Sequence, residues 1–152
     1  MRSTRREEES QSIALSKTHL GDIIFNGVYF RYGSREEVFN DFSVRFAHGK
    51  ITAIVGESGS GKSTLVGLIQ KIYPLQKGTI QIGNQNLAYV ETESLRKWVS
   101  VVPQHIDLFA GNVIDNIAVG EFVPDMERIL SICKNIGILD FIEQLPNGFY
   151  TY

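Results

Sequence analysis

The sequence lacks several features that would each assign it to a distinct class of protein. It has one cysteine, Cys133, among 152 residues, so no disulfide can form within the chain, which favours a reducing compartment. No apolar run approaches the ~18 residues of a membrane span, and the N-terminus has no signal-peptide pattern. A formal net charge of -2 gives no electrostatic reason to expect nucleic acid as a partner.

Other absences limit the chemistry. The three histidines, His19, His48 and His105, are far apart and lack the spacing of metal ligands. No Gly-x-Ser-x-Gly nucleophile elbow occurs. A GTPase would need an Asp-x-x-Gly and an Asn-Lys-x-Asp motif, and the sequence contains neither. Histidine-rich metal sites, serine hydrolases of the elbow type and GTPases are therefore disfavoured.

The most informative stretch is Gly-Glu-Ser-Gly-Ser-Gly-Lys-Ser-Thr at residues 56–64, which fits the phosphate-binding template G-x-x-x-x-G-K-[ST]. Glycines let such a loop curl so that successive backbone N–H groups point inward and form an anion nest. Lys62 adds a mobile positive charge for the outer phosphates, and the Ser63 hydroxyl can bind a magnesium ion. The candidate phosphate-binding residues are Gly56, Ser58, Gly59, Ser60, Gly61, Lys62, Ser63 and Thr64.

The flanks of this loop carry the context that the template requires. Residues 51–55 form a short apolar, β-branched run that predicts a buried strand. After the loop, apolar residues recur at helical spacing from Leu65 until Pro74. A Gly/Ser-rich turn without a ligand is the alternative, but strand, loop and helix together favour a nucleoside triphosphate site.

Patterning along the rest of the chain predicts an α/β protein. Residues 1–20 are polar and charged, which predicts a solvated linker or tail. The predicted elements are antiparallel strands at 24–31 and 38–46, strands at 79–82 and 99–102, and short helices at 94–98, 112–118, 126–136 and 139–145. Asp125 is placed to cap the third of these helices, and Cys133 lies on its apolar stripe.

Gln104 follows the predicted strand at 99–102 and Pro103. Ligands of open α/β sheets bind at the carboxyl ends of the strands, where an amide could orient a water or complete a metal shell. Polar residues after strands are also common without any such role, so the residue types leave both interpretations open.

Together these motifs resemble the nucleotide-binding domain of ATP-binding cassette (ABC) transporters, over residues 21–151. Phe30-Arg31-Tyr32 resembles the A-loop, residues 56–64 the Walker A motif, and residues 101–104 the Q-loop. Residues 108–117 and 145–149 are similar to the exporter branch, including exporters of peptides and bacteriocins.

The resemblance implies a P-loop NTPase fold with an N-terminal antiparallel β subdomain and the start of a helical subdomain. It implies ATP and Mg²⁺ as ligands. Tyr32 would stack on adenine, Lys62 and Gln104 would have catalytic roles, and Ser63 and Gln104 would contact the metal. It also implies a transmembrane partner that meets residues 104–116, from Gln104 to Asn116. A second nucleotide-binding domain would sandwich ATP, on the cytoplasmic side of the cell membrane.

The sequence departs from the family pattern by lacking the Leu-Ser-Gly-Gly-Gln signature, a Walker B Asp-Glu pair and the switch histidine. We therefore expect a C-terminally truncated domain over residues 21–152, with an incomplete central sheet, that binds ATP without appreciable hydrolysis. The alternatives are a non-catalytic nucleotide-sensing or interaction module, and a fragment of a soluble ABC ATPase.

Overall fold

The structure is a computed structural model that describes residues 12–152. The chain divides into two compact units, Met1–Val101 and Val102–Tyr152, and each has its own cluster of buried apolar side chains. The described residues form an α/β architecture with a sheet in the first unit and short helices in the second, as the sequence predicts.

The first unit contains a four-stranded antiparallel sheet. Its strands are β1 (Ile23–Arg31), β2 (Glu37–Phe46), β3 (Lys77–Ile82) and β4 (Gln85–Asn86), in the order β2-β1-β3-β4. β1 lies in the centre, where Phe25 pairs with Val44 on one side and with Ile80 on the other. The prediction of two antiparallel strands before the glycine-rich loop is confirmed, and β3 is found where the sequence predicts it.

Two helices complete this unit: α1 (Lys62–Ile69), which follows the glycine-rich loop, and α2 (Thr92–Arg96). Three-residue 3₁₀ helices lie at Lys17–His19 and Leu87–Tyr89. Leu65 and Leu68 of α1 are buried, and they belong to the same cluster as buried side chains of the sheet. The buried members of this cluster are Leu15, Phe25, Val28, Phe30, Phe39, Leu65, Leu68, Ile80, Ile82, Leu87, Val90 and Leu95.

Two predicted strands are wrong. Residues 51–55 form no regular structure, and Ile51 and Val55 are 103% and 89% exposed. β-Branched patterning produces a strand only where a neighbour supplies backbone hydrogen bonds, and none of residues 12–152 supplies one to this run. Residues 99–102 are not a strand either, because the Val99 amide donates to the Leu95 carbonyl (2.9 Å) and extends the turn of α2.

The predicted solvated tail is wrong for its described part, while residues 1–11 lie outside the described residues. Leu15 is 5% exposed and belongs to the core of the first unit. Its amide donates to Ser94 Oγ (2.9 Å), and its carbonyl accepts from the indole N–H of Trp98 (2.9 Å). Leu15 is an isolated apolar residue in a polar stretch without periodicity. Its burial therefore becomes visible only in its contacts with residues distant in sequence.

The second unit is helical where it is regular. Its helices are α3 (Val113–Ile117), α4 (Met126–Asn135) and α5 (Leu139–Glu143), followed by a 3₁₀ turn at Gly148–Tyr150. Ile114, Ile129, Cys133 and Ile142 form its buried cluster. The Asp125 side chain accepts from the Arg128 amide and caps α4, and Cys133 is 1% exposed, so both predictions are confirmed.

Candidate nucleotide-binding site

The glycine-rich loop turns into α1 through two residues with left-handed backbone. Gly59 has φ +84° and Gly61 has φ +92°, and Gly61 occupies the N-cap position of α1. A residue with a Cβ adopts such angles only under strain. Only glycine can form this loop without strain, and the loop leads directly into the free amides at the start of α1. A helix N-terminus with free amides attracts anions.

Space around the loop also requires glycine. A Cβ at Gly61 would lie 2.9 Å from both Phe39 Cε1 and Val38 Cγ1 of β2. A Cβ at Gly56 would lie 2.8 Å from Ser60 Oγ. The loop is thus closed against itself at Gly56 and packed against the sheet at Gly61.

The Lys62 side chain folds back over the loop. Its ammonium group donates to the carbonyl oxygens of Gly56 (2.8 Å) and Glu57 (2.6 Å), with a longer contact to Ser60 Oγ (3.3 Å). The charge is thus held at the loop by three oxygen atoms. Phosphate oxygens could replace these partners, because an ammonium group needs only acceptors around it.

The three serines of the loop region lie at the surface. Ser58, Ser60 and Ser63 are all exposed, and Ser63 is the second residue of α1. An exposed hydroxyl in the first turn of α1 lies next to the helix amides that would hold a phosphate. Magnesium in phosphate sites commonly takes one or two protein oxygens together with phosphate oxygens and water, so Ser63 suits that ion.

Tyr32 is attached to α1 by its hydroxyl group. Tyr32 Oη and Thr64 Oγ1 share a hydrogen bond of 2.8 Å, and Thr64 is 5% exposed. The Tyr32 ring meets the rings of Phe30 and Tyr73 edge to face, with centroids 5.0 and 5.1 Å apart. The structure therefore brings the predicted base-binding residue, Tyr32, to the helix that follows the glycine-rich loop.

Gln104 belongs to the second unit, where it lies exposed in an irregular stretch. Its proposed contact with metal and water stays a prediction.

An ordered turn follows Gln104 between Phe109 and Asn116. The Phe109 amide donates to Asn116 Oδ1 (2.8 Å), and the Phe109 carbonyl accepts from Asn116 Nδ2 (3.1 Å). Asn112 and Asp115 cap α3 reciprocally, with two hydrogen bonds of 2.9 Å. This ordered turn exposes Leu108 (77%) and Phe109 (65%).

Sequence reasoning missed Tyr73 and Gly67. The Tyr73 ring packs where a Cβ at Gly67 would stand, with Tyr73 Cε2 only 2.9 Å from that position. A glycine within an otherwise apolar helical pattern was the signal that could have found this contact, because glycine in a helix interior needs a packing reason.

Carboxylate-rich metal sites and membrane helices are not found in the described part of the chain. Within residues 12–152, no three His, Cys, Asp or Glu side chains come together in a way that could hold a metal ion. No helix among the same residues has the length and apolar character needed to cross a bilayer.

Comparison with known proteins decides the family. The profile described as "ABC transporter" matches residues 39–150, which is more than half of the chain. The chain belongs to the ABC transporter family. The curated relatives include ABC transporter B family member 17 of Arabidopsis thaliana, which is 42% identical over 135 residues, covering 86% of this chain and 11% of that protein.

Two further relatives come from other branches of life. The human mitochondrial iron-sulfur clusters transporter ABCB7 is 39% identical over 129 residues, covering 85% of this chain and 17% of that protein. The ATP-dependent lipid A-core flippase of Pseudoalteromonas atlantica is 39% identical over 147 residues, covering 95% of this chain and 25% of that protein. The chain thus spans between 11% and 25% of the length of the three relatives.

A solved structure gives the fold. A bacterial Atm1-family ABC exporter with ATP bound superimposes with a TM-score of 0.84 at 35% sequence identity, covering 92% of this chain and 24% of that chain. The fold is therefore part of the P-loop α/β fold of an ABC nucleotide-binding domain of exporter type. The nucleotide of this family is ATP, typically with Mg²⁺.

Proposed function

We propose that this chain binds ATP with Mg²⁺ and forms the N-terminal part of the motor domain of a membrane exporter. The observation that carries the proposal is the loop at residues 56–64, whose left-handed glycines lead into α1 while the Lys62 ammonium lies over the loop carbonyls. Loop amides, helix N-terminus and a mobile cation together make a site for phosphate groups.

On this proposal the residues of the loop have different roles. Gly56, Gly59 and Gly61 shape the backbone, and the first amides of α1 would bind the phosphates, with Ser58 and Ser60 beside them in the loop. The Lys62 ammonium exchanges the Gly56 and Glu57 carbonyls for outer phosphate oxygens. Thr64 lies beneath the site, bonded to Tyr32.

The metal would be held by few protein atoms. Ser63 would supply one hydroxyl ligand, and phosphate oxygens and water would take the remaining positions, as is usual for magnesium. The amide oxygen of Gln104 is proposed as a further ligand on the family resemblance alone. Bound magnesium would neutralise charge on the phosphates. Tyr32 would stack on adenine, a role that its place beside α1 supports.

We propose that this chain hydrolyses ATP negligibly by itself. Hydrolysis needs an attacking water to be oriented, and a positioned base commonly contributes ~10²–10⁴ in rate. Lys62 and Gln104 would take part in the reaction, but the sequence has no Walker B Asp-Glu pair or signature motif.

The proposed partners are a transmembrane domain and a second nucleotide-binding domain, on the cytoplasmic side of the cell membrane. The ordered turn that exposes Leu108 and Phe109 supports a protein contact within residues 104–116. The similarity to a transporter, an exporter and a flippase favours a membrane exporter over a soluble cassette.

Titration calorimetry with ATP and Mg²⁺ tests the proposal, using Lys62→Ala and the matched surface variant Lys97→Ala. Charge-assisted hydrogen bonds contribute ~1.5–3 kcal/mol each, so Lys62→Ala should weaken ATP binding about tenfold or more. Lys97 is exposed in the turn after α2, and its variant should bind within about twofold of the native chain.

Equal ATP affinity in the native chain and Lys62→Ala would contradict the proposed site. A steady ATPase rate that disappears in Lys62→Ala would support binding but overturn the proposal of negligible hydrolysis.

A further inference from the structure

We propose that Tyr73 is a positioning residue for the nucleotide base, because it holds the Tyr32 ring in a fixed place beside α1. The inference rests on the proposed function, in which Tyr32 stacks on adenine. Tyr73 itself need not touch the nucleotide.

The first support is the contact between the Tyr73 ring and Gly67 of α1. Gly67 lies inside this helix, where glycine is ~1 kcal/mol less favourable than alanine. A Cβ at Gly67 would stand 2.9 Å from Tyr73 Cε2 and 3.1 Å from Tyr73 Cδ2. The ring therefore occupies a notch that exists only because residue 67 has no side chain.

The backbone conformation of the residues on either side of Tyr73 places its ring in this notch. Lys71, the residue after the C-cap of α1, has left-handed backbone (φ +56°), a conformation that ends a helix. The Ile72 amide then donates to the Gly67 carbonyl (3.0 Å), and the Lys71 ammonium donates to the Val90 carbonyl (2.7 Å). Pro74 restricts Tyr73 to extended angles. Tyr73 is thus fixed relative to the helix that carries Lys62.

From this notch Tyr73 contacts the predicted base-binding residue. The Tyr73 and Tyr32 rings are 5.1 Å apart at 88°, and the Tyr73 and Phe30 rings are 5.7 Å apart at 47°. The Tyr32 hydroxyl is tied to Thr64 of α1. Tyr32 is thus connected to α1 at its hydroxyl through Thr64 and at its ring through Tyr73, so its orientation is set by α1.

A merely structural role would have a different signature. Tyr73 is 37% exposed, so it does not fill the centre of the core. If Tyr73 only stabilised the fold, its loss would weaken all ligands of the loop alike. If it positions Tyr32, its loss weakens a ligand with a base and spares a ligand that consists of phosphates alone.

The experiment compares ATP with inorganic tripolyphosphate by calorimetry on the full chain, at saturating Mg²⁺. Tyr73→Leu should weaken ATP about three- to tenfold, the range of one aromatic pair, and change tripolyphosphate affinity less than about twofold. Tyr73→Phe keeps the ring and should retain native affinity for both. Tyr89→Leu, at a tyrosine that is 51% exposed in the same unit, is the matched control and should change neither.

A second variant perturbs the same contact from the helix. Gly67→Ala raises helix propensity but pushes the Tyr73 ring away, so ATP affinity should fall about threefold while tripolyphosphate binding is kept. Tyrosine ring resonances provide a readout without nucleotide: the Tyr32 ring signals should shift in Tyr73→Leu and Gly67→Ala, but not in Tyr89→Leu.

The outcomes separate the two proposals. If the native chain binds both ligands and Tyr73→Leu weakens both equally, or neither, Tyr73 does not position the base and the inference is overturned. If the native chain binds neither ligand, the proposed function fails and the inference fails with it. Unshifted Tyr32 resonances in Tyr73→Leu would also overturn the inference.

Discussion

The hydrogen bond between Tyr32 Oη and Thr64 Oγ1 allows a sharp thermodynamic test of the site's geometry. The bond is 2.8 Å long and connects the residue after β1 to the third residue of α1. Its two ends differ in exposure, because Thr64 is 5% exposed while Tyr32 is only half-buried. Removing one partner should therefore have a different consequence from removing the other.

The asymmetry can be given magnitudes. Tyr32→Phe leaves a buried Thr64 hydroxyl without its partner, which costs ~1–3 kcal/mol. A threonine in a helix can turn its hydroxyl to the preceding turn, so we expect the lower part of that range, about 1–2 kcal/mol. Thr64→Val leaves the half-exposed Tyr32 hydroxyl free to bond water, so its loss should be about 0.5–1 kcal/mol. The double variant leaves no unpaired group and should resemble Thr64→Val, which gives a coupling energy equal to the Tyr32→Phe cost, about 1–2 kcal/mol.

Urea unfolding of the four proteins measures these differences. Trp98 is the sole tryptophan, and its indole donates to the Leu15 carbonyl, so its fluorescence reports the first unit. Tyr89→Phe, at an exposed tyrosine, is the control and should lie within about 0.5 kcal/mol of the native chain. Additive single variants, within about 0.3 kcal/mol, would show that the bond is not formed in solution.

Two further predictions concern pH and a thiol. The pKa of Asp22 is lowered from 3.8 by the hydrogen bond from the His48 amide and, next, by the Arg45 side chain. Because this pKa is lower in the folded chain than in the unfolded chain, the ionised Asp22 carboxylate stabilises the fold above the unfolded-state pKa. That contribution is lost as the pH falls through the folded-state pKa. The native chain should therefore have a higher urea midpoint than Asp22→Asn, and the difference should shrink below about pH 4; a constant difference would refute this. Cys133 is 1% exposed, so Ellman's reagent should react slowly in buffer and fast in urea; fast reaction in buffer would contradict its burial.

Local signals predicted much of the fold correctly. Alternation at residues 24–31 and 38–46 marks a sheet with one face in the core, and both strands form. Asp125 caps α4 because a carboxylate at that position bonds a free helix amide, a purely local event. The loop at 56–64 is predictable for the same reason, since its glycines determine its backbone angles.

Errors arise where structure depends on partners distant in sequence. The β-branched run at residues 51–55 has the composition of a buried strand, but a strand is defined by its neighbours, and none forms among the described residues. Leu15 shows the opposite case, because a single apolar residue in a polar stretch carries no period and yet packs in the core. Tyr73 was missed since its contact with Tyr32 crosses 41 positions of sequence.

The attachment of residues 13–15 has a mechanical consequence. The Ile13 amide donates to the Tyr89 carbonyl (2.6 Å), the Glu91 amide donates to the Ile13 carbonyl (3.0 Å), and Leu15 is bonded to Ser94 and Trp98. The first described residues of this unit are thereby clamped to residues 89–98, near its other end. A force that pulls residues 12 and 101 apart would act in shear on the hydrogen bonds between residues 13–15 and residues 89–98. It would bypass β1, β2 and the glycine-rich loop. A pull on either end would therefore reach the opposite end of the unit through these hydrogen bonds rather than through the glycine-rich loop.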